Sequence, residues 1–555
     1  MDNRRKTAIL VAILVVISGS LFMYRLNVRG LAEPDEGRYA EIAREMVESG
    51  DWIYPRLNYI LHMHKPPMSY WLIAGSFSVF GVNEFAARFP SAIAAILTAI
   101  ATFFIGKRLA GLAAGFIAGI VLISMPQFIG SARLAFPDMF LTCFVTLGFA
   151  CFIRGCSSDK KRAPFLLFWL FAGLGMMTKG PVALLIMLVP VLVYILVMRE
   201  WGLVRQMQPF NGIILFLIVS LPWYLYVITQ LEGLFGYFVG EQTAERLTSD
   251  FREVPRYFLV GVLGMLTFPW LFYLLAGIGT MIRDGTETDH VGKRKFLVLI
   301  WFSVVIVFFS LMRSSIASYI LPAYPPAAII TGMFLARAFS SDKKHVLLSV
   351  ATALTMVVMF VLALALIRYP LHESWDTAYS FLRGTIIAYA VILLAAVLVL
   401  LVLSILRKTE YVVGVLALLS TVFFVLFLHR IPDIEKRMHW RVKGKHFAEE
   451  VLRLEREGDD VVMMKQYYAD LPFYLKRRVL HLHVHREKRF EDPAVYQKLV
   501  MFGYDAEERL LQSEVRTFFV APKAEYERVS FRYPDNSHFI MEVKGHVLFC
   551  NLPLD

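Results

Sequence analysis

From Thr7 to Tyr24, from Val346 to Ile367 and from Ile386 to Leu406 the sequence contains no charged residue and very few polar ones. A helix needs roughly 20 residues to cross about 30 Å of hydrocarbon, and each of these runs has that length. Backbone polar groups in lipid must pair within their own segment, so the runs are expected to be α-helical. Composition supports the same reading: the 555 residues are 57% hydrophobic and 18% charged. A soluble domain is nearer half apolar and a quarter charged.

About thirteen such spans are expected, centred near residues 15, 97, 121, 147, 170, 189, 219, 267, 304, 329, 356, 394 and 420. The expected fold is a polytopic α-helical membrane protein with a small external α/β C-terminal domain. The spans occupy residues 1–429 and the α/β domain residues 430–555. No internal repeat is evident within the bundle.

Lys and Arg in short loops set the orientation. Basic residues precede the first span at Arg4, Arg5 and Lys6, then recur after every second span, as at Lys107 and Arg108, Lys160 to Arg162, and Arg407 and Lys408. This places the N-terminus in the cytoplasm and, with an odd number of spans, the C-terminus outside. The first run lacks a small-residue cleavage site and reads as a retained helix. The net charge of +12 is accounted for by these loops and the tail, and gives no reason to expect nucleic acid. Cys143, Cys151, Cys156 and Cys550 form no C-x-x-C pair or metal spacing, so no disulfide is expected.

Two segments break the membrane pattern. In the tail, residues 443–457 carry a helical pattern, and residues 460–465, 479–484 and 517–521 read as strands. His481, His483 and His485 alternate on the second strand and are expected on its solvated face. The other segment is the first external loop, about residues 25–86. There Tyr39, Ile42, Ala43 and Met46 recur at helical spacing, with Glu41, Arg44, Glu45 and Glu48 opposite. That pattern suits a helix lying on the membrane surface.

Asp35 stands just before this helix, where an N-cap would sit. Lys65 is either a snorkelling anchor or a point charge for a phosphate. His62 and His64 face one side of an extended segment, but typical zinc sites need three or four ligands, and no others are identifiable. Asp138, Lys179, Arg246 and Arg313 map with Asp35 and Lys65 to the outer face of the membrane in this topology. An acid at the edge of a span is a functional candidate, and helix capping is the ordinary alternative. Acids and bases gathered on one face suit an anionic, membrane-borne substrate. A transporter would instead show repeated halves and charges at mid-membrane, and a scaffold would leave the loop acids without a purpose.

The run from Glu33 to Met46 resembles the GT-C membrane glycosyltransferases related to protein O-mannosyltransferases and to the aminoarabinose transferase of lipid A. The resemblance continues through Gly50-Asp-Trp, Lys65-Pro-Pro, Tyr70-Trp71, Phe80 to Ala92, Arg133 to Asp138, Thr178-Lys-Gly-Pro, Phe268-Pro-Trp and Ser318 to Pro322. It implies an enzyme of the bacterial inner membrane that takes a sugar from a polyprenyl-phosphate carrier at the periplasmic face. The acceptor would be a lipid such as lipid A, a glycan or a protein. By motif, Asp35 would be the principal catalytic acid, with Arg38 and Tyr39 beside it, and Asp138 the second carboxylate. Lys65 and Arg246 would hold the carrier phosphate, with Lys179 and Arg313 as further cations. Two positions depart from the aminoarabinose branch: His64 replaces a Glu before the motif Lys, and Gly240 to Glu245 lacks a His. Those are the positions associated with bound zinc there, so the resemblance carries no divalent metal or other cofactor over to this chain.

Overall fold

The computed structural model describes residues 2–156, 162–245, 255, 257–284, 290–312, 316–340, 346–368, 377–438, 442–484 and 490–554. These form two compact units. The first comprises Met1–Arg25, Ser91–Tyr224 and Phe238–Arg430, and the second comprises Leu26–Pro90, Leu225–Tyr237 and Ile431–Asp555.

The first unit is helical. Every expected span centre except that near residue 267 lies in a helix. Nine of the described helices are long and apolar enough to cross a membrane, or ten if Phe258–Leu266 and Leu271–Asp284, bent by 110° at their junction, make one span. The expected thirteen differ from this for identifiable reasons. The 40-residue helix Glu84–Ile123 holds two expected spans and breaks at Ala110 and Gly111, where Gly111 has φ 89°. Its two halves fold back on each other at Gly106 and Gly115: a Cβ on Gly106 would lie 3.0 Å from the Gly115 Cα. Small residues permit this close helix approach. Val182–Met198 has 17 residues and is among the shorter apolar helices, and Arg162–Lys179, with a cation at either end of its 18 residues, is not apolar enough to count.

Buried polar side chains finish the helix ends. Arg133 donates from Nη1 to the carbonyls of Leu21 and Phe22 and from Nη2 to that of Arg25, at 2.8–3.1 Å. Leu21 and Phe22 lie in the last turn of Asn3–Met23, where carbonyls have no helical partner and a cation is favoured. The Trp270 indole donates to Ser124 Oγ at 3.0 Å.

In the second unit a hairpin of β1 (Arg56–Leu57) and β2 (Ile60–Leu61) turns through Asn58 and Tyr59, both at positive φ. The tail forms a six-stranded sheet from β3 (Asp460–Met464), β4 (Leu480–Leu482), β5 (Val500–Met501), β6 (Thr517–Pro522), β7 (His538–Val543) and β8 (His546–Cys550). The order is β5-β4-β3-β6-β8-β7, parallel from β5 to β6 and antiparallel beyond. Central β3 is buried on both faces: Val461 and Met463 enter one apolar cluster, Val462 and Met464 the other. The three expected strands are present, as is the expected helix, at Lys443–Leu454.

The histidine reading is corrected. His481 is fully buried, and Asn58 Nδ2 lies 2.7 Å from its Nε2. His483 lies beyond the strand at φ 56°, which ends the alternation, and pairs with buried Glu507 at 3.2 Å. His485 lies outside the described residues.

Candidate active site

Asp35 opens the helix Asp35–Ser49, and Pro34 occupies the N-cap position. No side-chain hydrogen bond caps this helix, which corrects the expectation that Asp35 serves as the cap. Its carboxylate is 42% exposed, with the nearest charged nitrogen at Arg38 Nη1, 3.7 Å away. Tyr39, one residue on, is buried and stacks on Tyr70 with ring centroids 5.4 Å apart.

The next residue, Glu36, fixes the position of Asp35. It is fully buried and ion-paired with Arg29 and Arg88. Arg88 donates from Nε to Glu36 Oε1 at 2.8 Å and from Nη2 to Oε2 at 3.1 Å. It also donates to the carbonyls of Leu26, Arg29 and Gly30 at 2.7–2.9 Å. A guanidinium has five N–H donors, and these bonds engage all of them. Burial alone would raise the Glu36 pKa, but the charges of Arg29 and Arg88 and the bonds from Arg88 and the Ala32 N–H hold it at about 2. Glu36 and Arg88 were not singled out from the sequence. The available signal was a charge at the head of an otherwise apolar run.

The far face of this helix departs from expectation. Glu41, Arg44 and Glu45 are buried, so the helix does not present its polar face to water. Arg44 spans both Glu41 oxygens at 2.7–2.8 Å and reaches Glu48 at 2.7 Å. Burial, and then the Glu41 carboxyl, push Glu45 well above the usual carboxylate range. Glu45 also accepts from the Tyr59 N–H at 2.9 Å. Gly50 ends the helix in the left-handed conformation, Asp51 accepts from the N–H groups of Ile53 and Tyr54, and the Trp71 indole donates to the Trp52 carbonyl at 2.6 Å. The Gly-Asp-Trp motif is therefore a helix stop followed by a turn.

Lys65 is half-buried just before the helix Met68–Phe80. The His62 and His64 rings lie nearly parallel, 4.0 Å apart. Among the described residues no three His, Cys, Asp or Glu side chains gather as metal ligands. The described side chains therefore do not fit a zinc site of three or four ligands.

The first unit holds Asp138 and Lys179. Asp138 lies in the first turn of Pro137–Gly155, where the helix dipole favours an anion. Lys179 Nζ sits 2.5 Å from Asp138 Oδ1, with both side chains largely buried, and 4.1 Å from the centre of the Tyr319 ring. Thus a proposed phosphate ligand and a proposed carboxylate form a pair. Arg246 and Arg313 lie outside the described residues.

Residues 7–232 match the family of dolichyl-phosphate-mannose-protein mannosyltransferases. An uncharacterized protein of Aquifex aeolicus is 27% identical over 500 residues, covering 88% of this chain and 90% of its own. The undecaprenyl phosphate-alpha-4-amino-4-deoxy-L-arabinose arabinosyl transferase of Yersinia enterocolitica is 28% identical over 365 residues, 64% of either chain. The chain thus spans less than two thirds of the length of that transferase. Among solved structures, ArnT from Cupriavidus metallidurans bound to undecaprenyl phosphate aligns with a TM-score of 0.84 at 22% identity, covering 98% of both chains. The chain therefore has the ArnT-like fold of the GT-C membrane glycosyltransferases.

Proposed function

We propose that this chain is an integral-membrane glycosyltransferase that moves a sugar from a polyprenyl (undecaprenyl) phosphate carrier to a lipid acceptor of the lipid A type. It acts at the periplasmic face of the bacterial inner membrane, with the N-terminus cytoplasmic and the tail external. The observation that carries this reading is Asp35: a solvent-reachable carboxylate, beside Arg38, on the first turn of a helix anchored by a buried ion pair. The similarity to undecaprenyl-phosphate aminoarabinose transferases supports the donor class.

In the reaction the bond between the sugar anomeric carbon and the carrier phosphate oxygen breaks, and its electron pair stays on the phosphate. The acceptor oxygen forms the new bond to that carbon. With a hydroxyl acceptor, Asp35 takes the proton. With a lipid phosphate as acceptor there is no proton to remove, and Asp35 orients the reacting groups. Lys65 and Arg246 stabilise the charge gathering on the leaving phosphate, where a low dielectric strengthens the effect. Arg313 supplements them, and Lys179 is held by Asp138, the second carboxylate. A second reading is a protein O-mannosyltransferase-like enzyme, favoured by the match over residues 7–232. Masses of lipid A and of bulk glycoprotein from cells with and without the protein separate the two. A change in neither would overturn both.

Two predictions test the parts. Lys65→Ala is expected to slow turnover about tenfold or more, a charge-assisted contact contributing roughly 1.5–3 kcal/mol. The rate loss should exceed the loss in affinity for polyprenyl phosphate, because the charge is needed most in the transition state. Lys65→Arg should restore part of the rate; unchanged kinetics in Lys65→Ala would remove Lys65 from the phosphate site. For topology, single cysteines at Glu48 and Asp505, with the four native cysteines replaced, should react with an impermeant reagent in spheroplasts, and one at Lys161 should not. The reverse pattern would place the loop on the wrong side for this chemistry.

A further inference from the structure

Within the second unit, Asp470 sits against the first turn of the helix that carries Asp35. A Cβ on Gly37 would lie 2.8 Å from both the Asp470 Cβ and its backbone N, so only glycine fits there. On the other side Gly444 leaves the space that the Asp470 carboxylate fills. Asp470 is fully buried, and its Oδ2 accepts from the Lys445 N–H at 3.2 Å. Its Oδ1 and Glu33 Oε1 are both buried and find no N–H or O–H donor among the described residues. The Glu33 and Asp470 carboxyl groups lie within hydrogen-bond reach of one another. Two carboxylates cannot make that bond unless one carries a proton.

Among the described residues no cation is ion-paired with either carboxyl group. Lys443 is near Glu33, but its ammonium is turned to His546 Nε2 at 2.6 Å, and burial lowers its pKa. His546 Nδ1 meets the Tyr468 hydroxyl at 2.7 Å, and burial and then Lys443 lower the His546 pKa to about 4. Lys445 Nζ is paired with Glu84 at 3.0 Å. The Tyr474 hydroxyl is bonded to the Leu31 N–H and Glu84. Tyr468 and Tyr474 are both pushed up by burial and by nearby acids, so they stay neutral. Burial, and then Glu33, push Asp470 well above the usual carboxylate range.

We infer that Glu33 and Asp470 share one proton, and that this acid–carboxylate bond makes Asp470 a positioning residue for Asp35. The tail domain is then a working part of the transfer site. The inference rests on the glycosyltransferase reading for its kinetic consequence but not for the shared proton itself. Rising pH removes the proton and leaves two like charges, one fully buried at Asp470 and one half-buried at Glu33, beside the turn that presents Asp35. A carboxyl pKa raised by folding gives stability that is complete in acid and is lost as pH rises toward the raised value.

The test uses the full-length protein in detergent or nanodiscs. Asp470→Asn keeps the shape and lets the amide donate to Glu33 without a titrating proton. Its infrared difference spectrum against the parent should lose a protonated-carboxyl band. Hydrogen-exchange protection in residues 35–49, taken relative to intrinsic exchange at each pH, should fall in alkali in the parent and not in the variant. In transfer assays the alkaline fall in kcat should move to higher pH, with KM for the donor little changed. Asp470→Ala should lower kcat by about 10²-fold, the cost of a displacement near 1 Å at a reacting centre, and Asp470→Asn should recover much of that at neutral pH. Glu33→Gln provides an independent variant with the same expected signature. An unchanged carboxyl band and an exchange profile superimposable on the parent in both variants would overturn the shared proton. A parent enzyme with no transfer from any polyprenyl-phosphate sugar would overturn the function reading instead, while the infrared and exchange results still decide the pair.

Discussion

Asp35→Asn is expected to lower transfer to a hydroxyl acceptor by about 10²–10⁴-fold, the range contributed by a positioned general base. The chain should insert, extract and melt as the parent does. Asp35 makes no capping hydrogen bond and is 42% exposed, and its ion pair with Arg38 is long at 3.7 Å. Exposed pairs of this kind contribute roughly 0–1 kcal/mol, so removing the charge has little to destabilise. Asparagine also tolerates the first turn of a helix, leaving loss of the base as the remaining difference. The size of the effect further separates the acceptors. With a lipid phosphate no proton leaves the nucleophile, and the same substitution should cost much less. Turnover equal to the parent on both kinds of acceptor would remove Asp35 from the chemistry and return the loop motif to a purely structural role.

The sequence made the membrane helices legible because lipid imposes a coarse rule: length and apolarity suffice, and nearly every expected centre falls in a helix. The span count was harder to read, because a single break at Ala110 and Gly111 turns one long helix into a hairpin. The parallel strands β3 and β6 announced themselves as short apolar runs, and β4 as an alternation of Leu and His. The hairpin of β7 and β8 was missed, although Lys544 and Gly545, both at positive φ, form the two-residue turn between its strands. Among the candidate site residues, motif and spacing singled out Asp35, Asp138 and Lys179 but could not show that the last two are paired. Amphipathic periodicity predicted a solvated polar face for residues 35–49. A helix can bury such a face when its charges satisfy one another, and Glu41 with Arg44 does so. His481 misled for a related reason: period two assigns it to a side of the strand, but only tertiary structure brings Asn58 onto that side.

The largest expected loss of stability comes from Arg88→Met. Methionine matches the length of the stem but supplies none of the five hydrogen bonds, so Glu36 stays buried beside Arg29 alone and the carbonyls of Leu26, Arg29 and Gly30 lose their shared donor. Breaking a buried pair from one side costs about 3–5 kcal/mol, because an uncompensated charge remains. That cost falls on the segment carrying Asp35, so transfer should be lost along with thermal stability. Arg88→Lys should rescue little, since an ammonium has three donors and cannot span both Glu36 oxygens while also reaching three carbonyls. Glu36→Gln combined with Arg88→Met should be more stable than Arg88→Met alone, because no orphaned carboxylate is left, and a double-mutant cycle would show that coupling. The pH dependence has a definite sign. Glu36 is held at about 2, below its ordinary value. It therefore contributes stability above the ordinary carboxylate pKa of roughly 4.3, and that stability is lost as pH falls from there toward about 2. In Glu36→Gln this part of the acid transition should disappear. Arg88→Met melting at the parent temperature with full transfer would show that the five hydrogen bonds do not hold the loop, and Asp35 would then need another support.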